Sequence, residues 1–167
     1  YVDGLTAREA VKIISQQKDN DKPFFLAVGF KKPHLPFVAP KKYWDLYEES
    51  EMPLAPNQYH PENSPSYSTT HDDLGRYAGL NYYNSPNNVL PDDYQRKLIH
   101  AYAACISFID AQVGKLIESL KETGKYDNTI IVFISDHGYH LGHQQKWGKT
   151  TNFENSTRAP LIVSSPN

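Results

Sequence analysis

Four side chains in this sequence are of types that can hold a metal ion and an anion together: His34, Asp136, His137 and Lys149. Asp136 offers hard carboxylate oxygen and His137, its neighbour, an imidazole nitrogen. The pair fills only part of a divalent-cation shell, since calcium takes about six to eight ligands. The missing carboxylates must come from elsewhere, because no other stretch of the chain has convincing metal-ligand spacing. His34 and Lys149 are a proton donor and a cation, suited to binding an anion or protonating a leaving group. No nucleophile with an activating context accompanies them. Each residue also has an ordinary explanation: an Asp-His-Gly turn on a solvated loop, or a histidine pinned between prolines for rigidity. What presents the four side chains therefore matters.

Asp136 and His137 follow the run Thr129 to Ile134, a short, β-branched, almost wholly apolar stretch. The run predicts a strand buried on both faces of a parallel sheet. It ends at Ser135-Asp136-His137-Gly138, and the carboxyl ends of strands are where open α/β sheets place ligand sites. Gly138 lets the backbone turn there. The loop beyond carries His140, His143, Lys146, Trp147 and Lys149, so cations are expected beside the metal pair. Pro23 to Phe30 has the same buried-strand pattern and releases Lys31-Lys32-Pro33-His34-Leu35-Pro36 at the same kind of end. If the two strands are parallel, both loops open on one edge of the sheet, which makes it feasible for His34 and Lys149 to reach a pocket bordered by Asp136 and His137.

The remaining elements fit that scheme. A capping box, Thr6 with Glu9, opens a predicted helix from Thr6 to Gln17. A short helix is expected within Pro40 to Tyr47. Pro91, Asp92 and Asp93 suit the start of the longest helix, which Gly124 is placed to end. Asp110 interrupts its apolar side and reads as a satisfied buried or boundary carboxylate. A third short strand is expected at Leu161 to Val163. The fold class is α/β, a mainly parallel sheet flanked by helices and joined by right-handed crossovers. Residues 48–91 are a long excursion rich in Pro, Asn, Ser and Tyr, read as a surface segment that walls a substrate cleft. His60, His71, Asp72 and Asp73 lie in it without the spacing of a metal site.

Length and charge bound the functions. One ordinary domain accounts for 167 residues. No apolar run spans a bilayer, and YVDGLTARE has no signal-peptide character. A net charge of -2 gives no electrostatic case for nucleic acid or an anionic membrane. The lone Cys105 excludes an intrachain disulfide, and its apolar neighbours mark a buried structural thiol. Asn155-Ser156-Thr157 is a glycosylation sequon, relevant in a eukaryotic secretory pathway.

Taken together, Asp127-Asn128-Thr129-Ile130 through Ser135-Asp136-His137-Gly138 resembles the late metal-binding strand of the sulfatases, in the alkaline phosphatase superfamily. Phe24-Phe25-Leu26-Ala27-Val28-Gly29, Lys32-Pro33-His34-Leu35-Pro36-Phe37, Asp110 to Gly114 and Trp147-Gly148-Lys149 extend the likeness along nearly the whole chain. The Lys-Pro-His loop and the Trp-x-Lys ending narrow it to the iduronate-type branch. The resemblance implies that Asp136 and His137 are two of four calcium ligands, that His34 contacts the sulfate ester and protonates the departing alcohol, and that Lys149 holds the sulfate. It also implies an upstream segment with the other metal aspartates and a Cys-x-Pro-Ser-Arg motif whose cysteine matures to formylglycine. Cys105, followed by Ile106-Ser107-Phe108, does not match that motif. The chain then resembles part of a single sulfatase catalytic domain, partnered by the remainder of that domain and by a sulfated carbohydrate. It would be inactive alone, and exported to the periplasm or outside in a bacterium, or lysosomal. Relatives commonly read Gly-Glu-His where this chain has Gly142-His143-Gln144, a departure that bears on substrate preference.

Two other readings share these residues. A phosphodiesterase or phosphonate hydrolase of the same superfamily has the Asp-His-Gly strand but explains the Lys-Pro-His and Trp-x-Lys context less well. A relative that binds sulfated glycan without turnover needs no nucleophile.

Overall fold

The structure, a computed structural model, describes residues 1–65, 73–76 and 90–166. Helix α1 runs over Val2–Ser15 and buries Asp3, Ala7, Ala10 and Ile14, a single stripe at helical spacing. It starts four residues ahead of the predicted Thr6. The capping box does not form: Thr6 sits inside the helix with its hydroxyl donating to the Val2 carbonyl at 3.3 Å, and Glu9 pairs with Lys12 at 3.2 Å. The first turn instead carries Asp3, a carboxylate at the positive end of the helix.

Helix α2, Lys41–Trp44, lies within the short helix expected there. Helix α3 spans Asp92–Glu122. Its end is closed as Gly124 predicts. Gly124 adopts φ +68°, and the amides of Gly124 and Lys125 donate to the carbonyls of Lys121 and Leu120 at 3.0 and 2.9 Å. Asp110 is exposed rather than buried or at a boundary. Cys105 is fully buried, as expected.

The strands depart further from expectation. Strand β1, Ile131–Ile134, pairs with β4, Leu161–Ser164, in a two-stranded sheet. Strands β2, His140–Leu141, and β3, Trp147–Gly148, form an antiparallel pair with His140 opposite Gly148. Residues 23–30 join no ladder. Their exposure nevertheless alternates as a strand's does: Phe24, Leu26, Val28 and Phe30 are half-buried, while Phe25 is 93% exposed. Nor are the other apolar strands buried on both faces. Val132, Phe133 and Ile134 are exposed, and so is all of β4. Among the described residues, nothing is layered over these side chains.

The chain forms two compact units. The first comprises Tyr1–Glu48, His100–Ile131 and Val163–Asn167; the second comprises Glu49–Ile99 and Val132–Ile162. In the first, Phe108 of α3 packs against Tyr43 and Tyr1 with ring centroids 5.4 and 5.7 Å apart, and Phe37 meets Tyr102 edge-on at 5.4 Å. In the second, Gln95 is almost wholly buried and donates to Gln58 Oε1 at 2.8 Å and the Leu90 carbonyl at 2.9 Å. This pairing anchors part of the long excursion, which otherwise contains the 3-10 turns Glu49–Glu51 and Leu74–Arg76.

Candidate active site

The turn after β1 is braced on three sides, all within the second unit. The Ser135 amide donates to the Pro160 carbonyl at 3.2 Å, and the Ser135 hydroxyl donates to the His137 carbonyl at 2.9 Å. The Gly138 amide donates to the Ser156 carbonyl at 2.7 Å, in helix α4, Glu154–Thr157. A Cβ at Gly138 would stand 2.2 Å from the Asn155 carbonyl oxygen. So a glycine is needed here for close approach, and the approach locks the turn to α4.

On that turn His137 Nδ1 lies 2.8 Å from the Gly138 carbonyl. An Nδ1–H donated to this carbonyl leaves Nε2 as the ligand nitrogen, the way metal-binding histidines are commonly oriented. His137 Nε2 lies 3.4 Å from Asp136 Oδ2. Two donors each ~2.4 Å from a shared ion and at right angles are separated by about 3.4 Å, so the pair fits two adjacent positions of a calcium shell. Asp136 is largely solvent-facing, with 85% of its side chain exposed, so an ion here would be approached from outside the unit. Among the described residues no group of three or more His, Cys, Asp or Glu forms a site.

The hairpin of β2 and β3 leads from this turn to Lys149, which is half-buried just past Gly148. The other predicted cations are not beside the metal pair as free charges. His140 is fully buried and Lys146 is 1% exposed. His140 Nδ1 lies 3.1 Å from the His143 carbonyl and Nε2 2.9 Å from the Thr151 hydroxyl, which is itself 2.9 Å from the Ser156 hydroxyl. Burial, more than any neighbour, pushes the His140 pKa down, and it does the same to His143. His140 therefore serves as a neutral polar pin between the hairpin and α4.

His34 belongs to the first unit. It is exposed, and its Nδ1 lies 2.7 Å from the Leu35 carbonyl, the same arrangement as His137. A protonated ring held this way presents Nε2–H outward. The loop itself is held by Lys32, whose Nζ donates to the carbonyls of His34 and Pro36, both at 2.6 Å. The two bonds Lys32–Pro33 and Leu35–Pro36 are cis. Asp3 of α1, 3% exposed, accepts the Lys31 amide at 2.6 Å and the Lys32 amide at 3.1 Å. Sequence reasoning overlooked Asp3 entirely, since nothing in local spacing ties it to amides nearly thirty positions later.

The structure thus brings Asp136 and His137 together, with Lys149 in the same unit and His34 in the other. His60 is occupied in a local turn with the Ser64 hydroxyl at 3.0 Å, and Asp73 packs against Gly148. His71 and Asp72 fall outside the described residues. The Cys105 thiol is pushed up to about 11, mainly by burial, which removes it as a nucleophile.

Comparison with known proteins agrees with the resemblance. The Sulfatase family model matches residues 1–167. Iduronate 2-sulfatase of Mus musculus and that of Homo sapiens are each 38% identical over 168 residues, covering 98% of this chain and 30% of their own length. Among solved structures, yidJ of Bacteroides fragilis superposes with a TM-score of 0.70 at 30% identity, over 98% of this chain and 31% of that one. Phosphonate monoester hydrolase of Agrobacterium radiobacter gives 0.70 at 25% identity, over 96% and 33%. The chain spans about a third of the length of these proteins, and its fold is a partial α/β domain of the alkaline phosphatase superfamily. With the family matched from first residue to last and the Asp-His-Gly turn formed, the chain belongs to the sulfatase family.

Proposed function

We propose that the chain is part of a single catalytic domain of a calcium-dependent sulfuric ester hydrolase that removes sulfate from a sulfated glycan. The observation that carries this reading is the Asp136–His137 pair, two ligand atoms 3.4 Å apart on a rigid turn. Support comes from the iduronate 2-sulfatases at 38% identity and from the Lys-Pro-His and Trp-x-Lys segments.

Calcium bound by Asp136 and His137 would supply positive charge to sulfate oxygens, and formylglycine, from a segment outside this chain, would supply the attacking oxygen. The residues of this chain do the rest. Lys149 holds a sulfate oxygen through its ammonium group and offsets charge that grows there. His34 delivers a proton from Nε2 to the alcohol oxygen as its bond to sulfur breaks, so that a neutral alcohol leaves. We place the protein outside the cytoplasm, in the periplasm or extracellular space of a bacterium, or in a lysosome. No described helix is long and apolar enough to cross a membrane.

A second reading has its own support, because two phosphonate monoester hydrolases, at 27% and 25% identity, share the fold. Assaying the longer enzyme on a sugar sulfate and on a phosphonate monoester separates the two. Preference for the sulfate, abolished by chelation and restored by calcium, is expected. In the same enzyme, His34→Ala and Lys149→Ala should each lower turnover without unfolding, and Asp136→Ala should also weaken calcium binding. Preference for the phosphonate would replace the proposal, and intact calcium affinity in Asp136→Ala would remove the metal assignment.

A further inference from the structure

We propose that Asp3 is a positioning residue for His34, acting with Lys32 as a two-sided clamp on the loop that presents the imidazole. The inference rests on the reading of His34 as proton donor. It goes beyond that reading by assigning the support of the ring to a residue in a different element.

Asp3 is a charged side chain buried at the first turn of α1, where it has few reasons to be unless its oxygens are fully used. They are used on the main chain of residues 31 and 32, one oxygen to each amide. Charge-assisted bonds to backbone amides are stronger than neutral ones, and two on successive amides fix both the position and the direction of the chain. Lys32 closes the other side by tying the carbonyls of His34 and Pro36 to one ammonium group. The ring is then oriented by its own bond to Leu35. No regular ladder holds residues 31–39, so this clamp does the work that a paired strand would do. A proton donor must meet its acceptor within hydrogen-bond reach, and displacement of about 1 Å can cost ~100-fold in rate.

The test uses the longer enzyme and two sulfate esters that differ in their need for a proton. A sugar or alkyl sulfate releases a strongly basic alkoxide, whereas 4-nitrophenyl sulfate releases a weakly basic phenolate. His34→Ala is expected to lose far more rate on the first than on the second. Asp3→Asn keeps the shape but loses the charge and one acceptor. It is expected to lower kcat on the alkyl ester about 10- to 100-fold and on the aryl ester by less than about threefold, with KM nearly unchanged. Lys32→Met, which keeps the half-buried stem, should shift the same ratio in the same direction, and it carries the test if Asp3→Asn does not fold. Equal loss on both esters, or no loss, in variants where His34→Ala remains selective would overturn the clamp alone. An unselective His34→Ala would overturn the proton-donor reading and the clamp with it. In the same longer enzyme, amide exchange at Lys31 and Lys32 should be faster in Asp3→Asn; unchanged exchange would also sink the proposal.

Discussion

Gly138→Ala should damage both the fold and the proposed metal site. The new Cβ would sit 2.2 Å from the Asn155 carbonyl oxygen, 3.0 Å from its carbon and 3.3 Å from the Arg158 oxygen. Carbon–oxygen contacts settle at roughly 3.3 Å or more, so something must yield by about 1 Å. Every obstructing atom is main chain, so no side chain can simply swing aside. Moving the turn from α4 stretches the 2.7 Å bond between the Gly138 amide and Ser156, worth about 1 kcal/mol. Overpacking adds roughly 1–3 kcal/mol, for a total near 2–4 kcal/mol. Denaturant unfolding of the chain measures it. Gly29→Ala is the control, since nothing lies within 4 Å of its added carbon, and it should stay within about 0.5 kcal/mol. In the longer enzyme, Gly138→Ala should lower calcium affinity about 10- to 100-fold, because Asp136 and His137 ride on the displaced turn. A Gly138→Ala protein as stable as the Gly29→Ala control would refute the close approach, and with it the argument that α4 fixes the metal pair.

Three further outcomes follow from the structure. The purified 167-residue chain should show no metal-dependent turnover of an aryl sulfate, because Cys105 is buried with its pKa near 11 and Asp136 and His137 are only part of a metal shell; robust turnover would mean that the nucleophile has been misplaced. Its stability should fall as pH drops below about 6.5, since the unfolded chain takes up a proton at His140 that the folded one, with its lowered pKa, resists. The slope is at most about 1.4 kcal/mol per pH unit for that group, His143 adds a contribution of the same sign, and His140→Gln should flatten the curve in part in melts between pH 7.5 and 5; an unchanged curve would show that His140 does not contribute to it. Finally, the thiol of Cys105 should resist a disulfide reagent in the folded chain and react at once in denaturant, and prompt labelling of native protein would contradict its burial.

What the sequence made legible follows from where each element finds its hydrogen bonds. Helices close their own, so α3 emerged at nearly its full length, with Pro91 before it and Gly124 after it. Asp136 and His137 are adjacent, so a turn after β1 was bound to put them together. Asp3 and the Lys31 and Lys32 amides meet only through the folded loop, and no periodicity encodes such a pairing. The start of α1 was missed for a related reason. Thr6 and Glu9 have capping-box spacing, but Ala7, Ala10 and Ile14 share a buried stripe with Asp3, and burial of that stripe extends the helix through the supposed cap.

The strands show the opposite limit. An apolar run such as Ile131–Ile134 states that both faces avoid water, but not what covers them. Here Val132 is 57% exposed, Ile134 64%, Leu161 68% and Phe25 93%. Exposed apolar side chains in such numbers on neighbouring positions are unusual for a protein that functions as a free monomer. The helices share this mismatch less: α1 and α3 each turn a buried stripe inward, although Val2 and Leu5 of α1 are exposed. The apolar strand positions thus call for more cover than the described residues supply, while α1 and α3 already bury one stripe each. Relatives roughly three times as long contain more chain than this segment aligns with. That combination supports the proposal of a single catalytic domain in which the remainder supplies both the missing metal ligands and the cover for these strands.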